Sequence, residues 1–374
     1  ANLVFDLMLL KNRLSLTADF YQRTTRDMIG PAESIPSISG IASDDRAKVN
    51  NATLRNRGWE LSVSWNDKLK CGFSYGVGFN VFNYKAVVTK YNNPEGIIYN
   101  NHTGLAANKG YYEGMDIGEI WGYRADDLFL SNREIDDYLR NVNLTAFKSN
   151  DLWRRGDLKY IDSNGDGRVD GGKGTLADHG DLQIIGNTTP KYSFGINLNL
   201  GYKGFEVSTL LQGVAKRDFP ISGSNYMFGG NNYNFKEHLD YFSTENPNGY
   251  LPRLTGWKDD KDFLVNTGYN TTRYLLNAAY MRMKNLTVAY TFNKKQLKHI
   301  GISNLKVYVT CDNLFTVTKL PKQFDPETLN QVNMSAGGDA QNTAPGLTSP
   351  MKQNGNGMVY PMNRNFVFGL DFTF

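Results

Sequence analysis

The 374-residue sequence predicts an all-β chain, a stretch of wall from a transmembrane antiparallel β-barrel, on three observations. Apolar and polar residues alternate with a period of two in one segment after another. Aromatic residues make up 13% of a chain whose mean hydropathy is only −0.48. Short links between the alternating segments take turns with long ones. Rings bordering a lipid-facing band, with a polar interior, are the composition of an outer-membrane barrel, whereas a soluble core relies on Leu, Ile and Val.

The run from Tyr192 to Tyr202 sets the pattern. Tyr192, Phe194, Ile196, Leu198, Leu200 and Tyr202 hold the even positions, and Ser193, Gly195, Asn197, Asn199 and Gly201 the odd ones. Such a run is long enough to cross a bilayer with lipid on one face and water on the other. The same alternation puts Leu14, Leu16, Ala18 and Phe20 on one face, and likewise Trp59, Leu61, Val63 and Trp65. Cys71, Phe73, Tyr75, Val77, Phe79 and Val81 form another, as do Leu286, Val288, Tyr290 and Phe292, and Leu305, Val307, Val309 and Cys311. The chain ends on Phe366, Phe368, Leu370, Phe372 and Phe374.

Nine strands are therefore expected, over 2–9, 13–26, 57–66, 70–90, 190–202, 204–216, 279–293, 303–316 and 363–374. The short links are Leu10 to Asn12, Asp67 to Leu69, Lys203, and Lys294 to Ile302. The long ones are Asp27 to Asn56, Tyr91 to Thr189, Arg217 to Ala278, and Val317 to Met362. Connections this long without secondary structure are uncommon in soluble sandwiches, whereas outer-membrane barrels pair short periplasmic turns with long extracellular loops. Bacterial single-chain barrels close on an even number of strands, so nine predicts part of a barrel that begins within an extracellular loop. Open edges are intolerable in lipid.

Several function classes drop out. No stretch approaches eighteen consecutive apolar residues, so no spanning helix is expected. A net charge of +4, from 41 Lys and Arg against 37 Asp and Glu, is too mild to point to nucleic acid. Cys71 and Cys311 make neither a disulfide framework nor a zinc cluster. His102, His179, His238 and His299 are scattered in expected loops and turns, where a histidine is ordinarily solvated. None has a nucleophile or paired acid at useful spacing, so an enzyme is not expected.

Two features of the loops point to binding. Asp162-Ser-Asn164-Gly-Asp166-Gly167-Arg168-Val-Asp170 has the D-x-N-x-D-G spacing of a calcium loop, within the expected extracellular connection 91–189. Asp162, Asn164, Asp166 and Asp170 would give side-chain oxygens and Arg168 its carbonyl. The closing position is Lys173, so Asp178 or, preferably, Asp181 would close the cage. Trp121, Tyr123, Trp153, Tyr226, Phe228, Tyr233, Tyr250 and Trp257 lie in segments rich in Asn, Gly and Asp. Rings can stack on sugar faces while amides bond hydroxyls, and rings can equally anchor long loops to one another.

The segment Gly156-Asp-Leu-Lys-Tyr160-Ile-Asp-Ser-Asn-Gly-Asp-Gly-Arg-Val-Asp170 closely resembles SusC/RagA-type TonB-dependent outer-membrane transporters. So do Ile185-Gly186-Asn187 with Pro190-Lys-Tyr-Ser-Phe-Gly195, and Lys203-Gly204-Phe205 with Gln212-Gly213. Glu245-Asn-Pro247 with Pro252-Arg253, the run Tyr280 to Tyr290, Asn313-Leu-Phe315 and the Phe-terminated last strand complete the set in family order. The resemblance implies the C-terminal part of a 22-stranded barrel. A plug would fill it from a preceding segment or chain, a SusD-like surface lipoprotein would cap it, and TonB would drive it through that plug. It implies active import of an oligomer, glycan or peptide, across the outer membrane, with no covalent change to the cargo. The competing expectation is a secreted or cell-surface all-β protein that binds carbohydrate.

Overall fold

The computed structural model describes residues 1–30, 49–98, 111–125, 127–221, 236–255, 262, 264–293, 297, 302–329 and 362–373. Their main sheet is a meander of nine long strands. These are β1 (Asn2–Leu9), β2 (Leu14–Gly30), β3 (Val49–Lys68), β4 (Ser74–Lys90), β5 (Lys191–Tyr202), β6 (Phe205–Lys216), β7 (Tyr280–Thr291), β8 (Asn304–Asp312) and β9 (Asn365–Thr373). Each pairs antiparallel with its neighbour in sequence, and Thr316–Thr318 extends the ladder beside β7. Every expected strand is present.

The register shows why alternation was informative. One row runs Leu9, Leu14, Trp65, Val77, Leu198, Thr209, Leu286, Cys311 and Phe366 across all nine strands. The adjacent row runs Met8, Ser15, Ser64, Gly78, Asn197, Leu210, Asn285, Asp312 and Asn365. Neighbouring rows face opposite sides of a sheet, so the first is the lipid face and the second the lumen face. Side chains on the lipid face have no protein cover: Phe368 is 78% and Leu370 66% exposed.

Boundaries moved at the loop ends. β2 and β3 continue to Gly30 and from Val49, through a bulge near Asp27 (φ 55°), so part of the link expected at 27–56 is ladder. Polar runs such as Thr24-Thr25-Arg26 do not alternate as membrane strands do, but backbone pairing continues above the lipid regardless of side chain. β8 stops at Asp312 because Asn313 turns left-handed (φ 53°). Cys71 lies in the exposed turn between β3 and β4, not on a strand. The two-residue link Lys203-Gly204 has φ of 45° and 90°, the left-handed pair that a tight hairpin requires.

Two lumen-face glycines let rings lie flat across the wall. Tyr21 covers Gly58 and Tyr308 covers Gly369, and a Cβ on either glycine would overlap its ring. Replacing Gly369 with Val is expected to destabilise the wall by about 1–3 kcal/mol. Denaturant titration of the whole receptor would show it, and Tyr308→Ser in the same chain should recover most of the loss.

The hydrophobic core lies outside the sheet, at the end with the long connections. Tyr123, Phe129, Phe147, Trp153, Tyr160 and Leu182 from the connection 91–190 pack with Phe219, Phe242, Leu251 and Tyr274 from 217–279, and with Phe324. The short helix α1 (Asn132–Leu139) is capped by Ser131, whose Oγ accepts the Glu134 N–H at 3.1 Å, and it buries Ile135 against this core. No described helix is long and apolar enough to cross a membrane.

Candidate functional site

At the short-turn end the lumen face forms a polar hollow of about 610 Å³. Asn66, Ser74, Asn199, Ser208 and Thr287 line it, and Lys306 pairs with Glu206 at 2.6 Å on its edge. Strand parity places these residues: each stands in register with another small or polar residue of the next strand, as Asn199 does with Gly76 and Ser208. The hollow offers amides, hydroxyls and the Lys306–Glu206 pair beside Leu200, Val207 and Ala289, a mixed lining able to form hydrogen bonds.

At the opposite end the connection after β8 folds against the wall. A register shift between Leu210 and Leu211 leaves Lys284 without a direct partner on β6 and brings Arg282 opposite Gln212. Arg282 bonds Asp325 at 2.8 Å and Glu327 at 2.9 Å, and Lys284 also reaches Glu327 at 2.9 Å. Arg217 donates to the carbonyls of Leu329 (2.7 Å) and Thr188 (3.0 Å). Asp325 further accepts the Met362 N–H at 3.0 Å, which fixes the return towards β9. Sequence reasoning missed this group, although a charge at Arg282 in an otherwise alternating run marks a residue that cannot face lipid.

Burial would raise the Asp325 carboxyl, but the N–H groups of Glu327 and Met362 and the Arg282 guanidinium outweigh it and hold the group below the usual carboxylate range. An acid depressed on folding contributes stability above its unfolded value, about 3.9, and loses it as pH falls through the lower folded value. Acidification below about pH 4 is therefore expected to loosen the connection 319–329. New proteolytic cleavage there would report it.

The residues expected to bind calcium do gather in one turn, but their oxygens are used otherwise. Asp162 accepts the N–H groups of Gly165 (2.6 Å) and Gly167 (2.8 Å), both glycines being left-handed. Asn164 accepts from Asp166, Asp166 from Arg168, and Asp170 from Gly172. Asp181, 1% exposed, accepts from Ser163 and Asn164 with one oxygen and from Asp170 with the other. Burial raises its carboxyl in spite of these donors. Arg168 lies between Asp170 (3.0 Å) and Asp166 (3.4 Å) and supplies the neutralising charge that the sequence assigned to a cation.

Among the described residues no three His, Cys, Asp or Glu side chains converge as a metal cage, and these oxygens are held by backbone N–H groups and Arg168. The expected ligand residues form a chain of side-chain-capped turns in which Asp181 ties the loop shut. Chelation of calcium should leave the loop's resistance to protease unchanged, whereas Asp181→Ala should lower it. Protection that vanishes with the chelator alone would restore the metal.

The ring assignments also change. Tyr123 (4% exposed) packs edge-on against Phe147, Tyr160 and Tyr269, and Trp153 (3%) packs on Phe129 with the Lys148 ammonium 4.6 Å above its ring. Trp121 is half-buried, with Nε1 donating to the Tyr112 hydroxyl at 3.3 Å. Tyr123 and Trp153 are anchors of the loop core, because long connections need rings to bind them together, and Trp121 packs partly buried against it. Tyr226, Tyr233 and Trp257 lie outside the described residues. His238, expected to be solvated, is 7% exposed.

No family model matches the chain. Over its whole length it is 26% identical to TonB-dependent receptor P3 and 25% identical to TonB-dependent receptor P39, both of Formosa agariphila. It spans about a third of those relatives, 34% and 35% of their lengths. The fold matches the RagAB peptide importer in its open-open state over the whole chain, with a TM-score of 0.62 at 19% identity and 34% of that chain covered. The closed-closed state gives 0.60 at 20% identity, with 35% covered. The likeness to SusC/RagA-type TonB-dependent transporters of the outer membrane thus holds along the whole chain, in sequence through the receptors and in fold through the barrel structures.

Proposed function

We propose that this chain is the C-terminal part of the barrel of a TonB-dependent importer in the outer membrane, and that the importer takes up oligomeric nutrients, peptides or glycans. The observation that carries the reading is the pair of adjacent rows, apolar on the lipid face and mostly polar on the lumen face, running unbroken across nine strands. An aqueous passage through a bilayer requires that division. A secreted carbohydrate-binding protein would not leave Phe368, Leu370 and Leu7 bare on one continuous face.

The reading supplies the partners. A plug from the rest of the receptor would occupy the polar lumen, TonB would act on that plug, and a SusD-like lipoprotein would sit over the loop core. The described lumen face offers hydrogen-bonding groups to a polar cargo, and import would leave the cargo chemically unchanged. The test is a deletion of the whole receptor gene in its native host. Loss of growth on an oligomeric peptide or glycan but not on its monomers, with the receptor recovered in outer-membrane fractions beside a lipoprotein, is expected. Unchanged growth on every oligomer tried, or recovery of the receptor in soluble fractions, would overturn it.

A further inference from the structure

We infer that Asp157 is the joint that makes the two longest connections, 91–190 and 217–279, one cooperative unit that opens only as a whole. Its side chain is fully buried and each oxygen accepts two hydrogen bonds. Two donors belong to its own connection, Lys148 Nζ at 2.7 Å and the Arg154 N–H at 2.8 Å. The other two belong to the second connection, Arg253 Nε at 2.6 Å and Asn266 Nδ2 at 2.9 Å. One carboxylate is thus satisfied in equal parts by segments about a hundred residues apart in sequence.

The surrounding groups make the division hard to undo. Asp262 takes the remaining reach of both cations, from Lys148 at 2.6 Å and from Arg253, so two positive and two negative charges balance. Lys148 has no exposed side-chain surface. The backbone follows the same seam: Asn266 Oδ1 accepts the Leu158 N–H at 2.8 Å, and Arg253 N–H donates to the Gly156 carbonyl at 2.9 Å. Were the second connection to lift away alone, Asp157 would keep two of four donors, and the fully buried Lys148 would lose Asp262. A buried charge stripped of its partner is far costlier than one that leaves with it. Separate opening is therefore suppressed, and joint opening, which solvates all four charges together, is the cheaper route. A contact made to one connection consequently restrains the other, which extends the reading of these loops beyond that of cover over a barrel and does not depend on what is imported.

Amide hydrogen exchange on the full-length receptor in detergent tests this. In the wild type, under conditions where opening limits exchange, peptides covering 148–160 and 264–274 should convert at one common rate. Two different rates would overturn the joint. Asp157→Asn keeps the shape and removes the charge, and it should raise exchange in both segments together by about tenfold or more. A rise confined to 148–160 would overturn it equally. Because the wild-type measurement needs no variant, misfolding of Asp157→Asn would leave a decisive result in hand.

Discussion

Produced by itself, the 374-residue chain is expected to aggregate and not to give a closed, detergent-soluble barrel. Among the described residues the sheet has two margins, β1 and β9, each paired on one side and not with each other. β1 contributes eight residues and β9 nine, and along each margin backbone N–H and C=O groups point away from the sheet. In hydrocarbon each such group costs several kcal/mol, since no water is present to satisfy it. Several groups per edge exceed the whole stability of an ordinary domain, so no membrane-inserted state of the open sheet can persist. A heat-dependent shift in gel mobility distinguishes a closed barrel from unfolded or aggregated protein. A heat-modifiable monomer obtained from this chain alone would refute the expectation, while co-production with the rest of the receptor should restore the shift.

The same physics explains what could be read in advance. In a wall with lipid on one side and water on the other, every second residue is constrained by its medium, and the constraint is local. Tyr192 to Tyr202 therefore declares its faces without reference to any other segment, and seven such runs, with two further strands placed by the short links, fix the meander. The limits of β2 and β3 were less legible because above the lipid the side chains are no longer sorted, and only the backbone ladder continues to Gly30.

The loop core follows another rule. Its stabilising contacts join residues distant in sequence, Asp157 with Asn266 and Tyr160 with the Val265 carbonyl, and no periodicity connects them. Trp153 and Tyr123 stand among Asn, Gly and Asp residues that look like exposed loop, yet they are the centre of a core. Composition reports the average polarity of a segment, not the direction in which one ring points. The acid-rich turn is ambiguous for a related reason. The spacing of Asp162, Asn164 and Asp166 suits backbone N–H donors as well as a cation, and spacing alone cannot show that Arg168 turns back between two of the acids.

The lipid face itself is testable at one position and its neighbour. Leu198 of β5 stands between Val77 of β4 and Thr209 of β6, in the row that ends at Phe366, whereas Asn199 stands between Gly76 and Ser208 and lines the polar hollow. Leu198→Arg places a guanidinium against acyl chains and should destabilise the barrel by roughly 2–4 kcal/mol if the position is near the midplane. Asn199→Arg puts the same group in the lumen, with Glu206 on the same hollow, and should be nearly neutral. The two substitutions share size, charge and strand and differ only in the medium they meet. Folding of the whole receptor into lipid vesicles across a denaturant series gives both values on one scale. Equal losses would mean that the faces of β5 are not divided between lipid and water. A greater loss for Asn199→Arg would mean that they are reversed, and with β5 the faces of all nine strands.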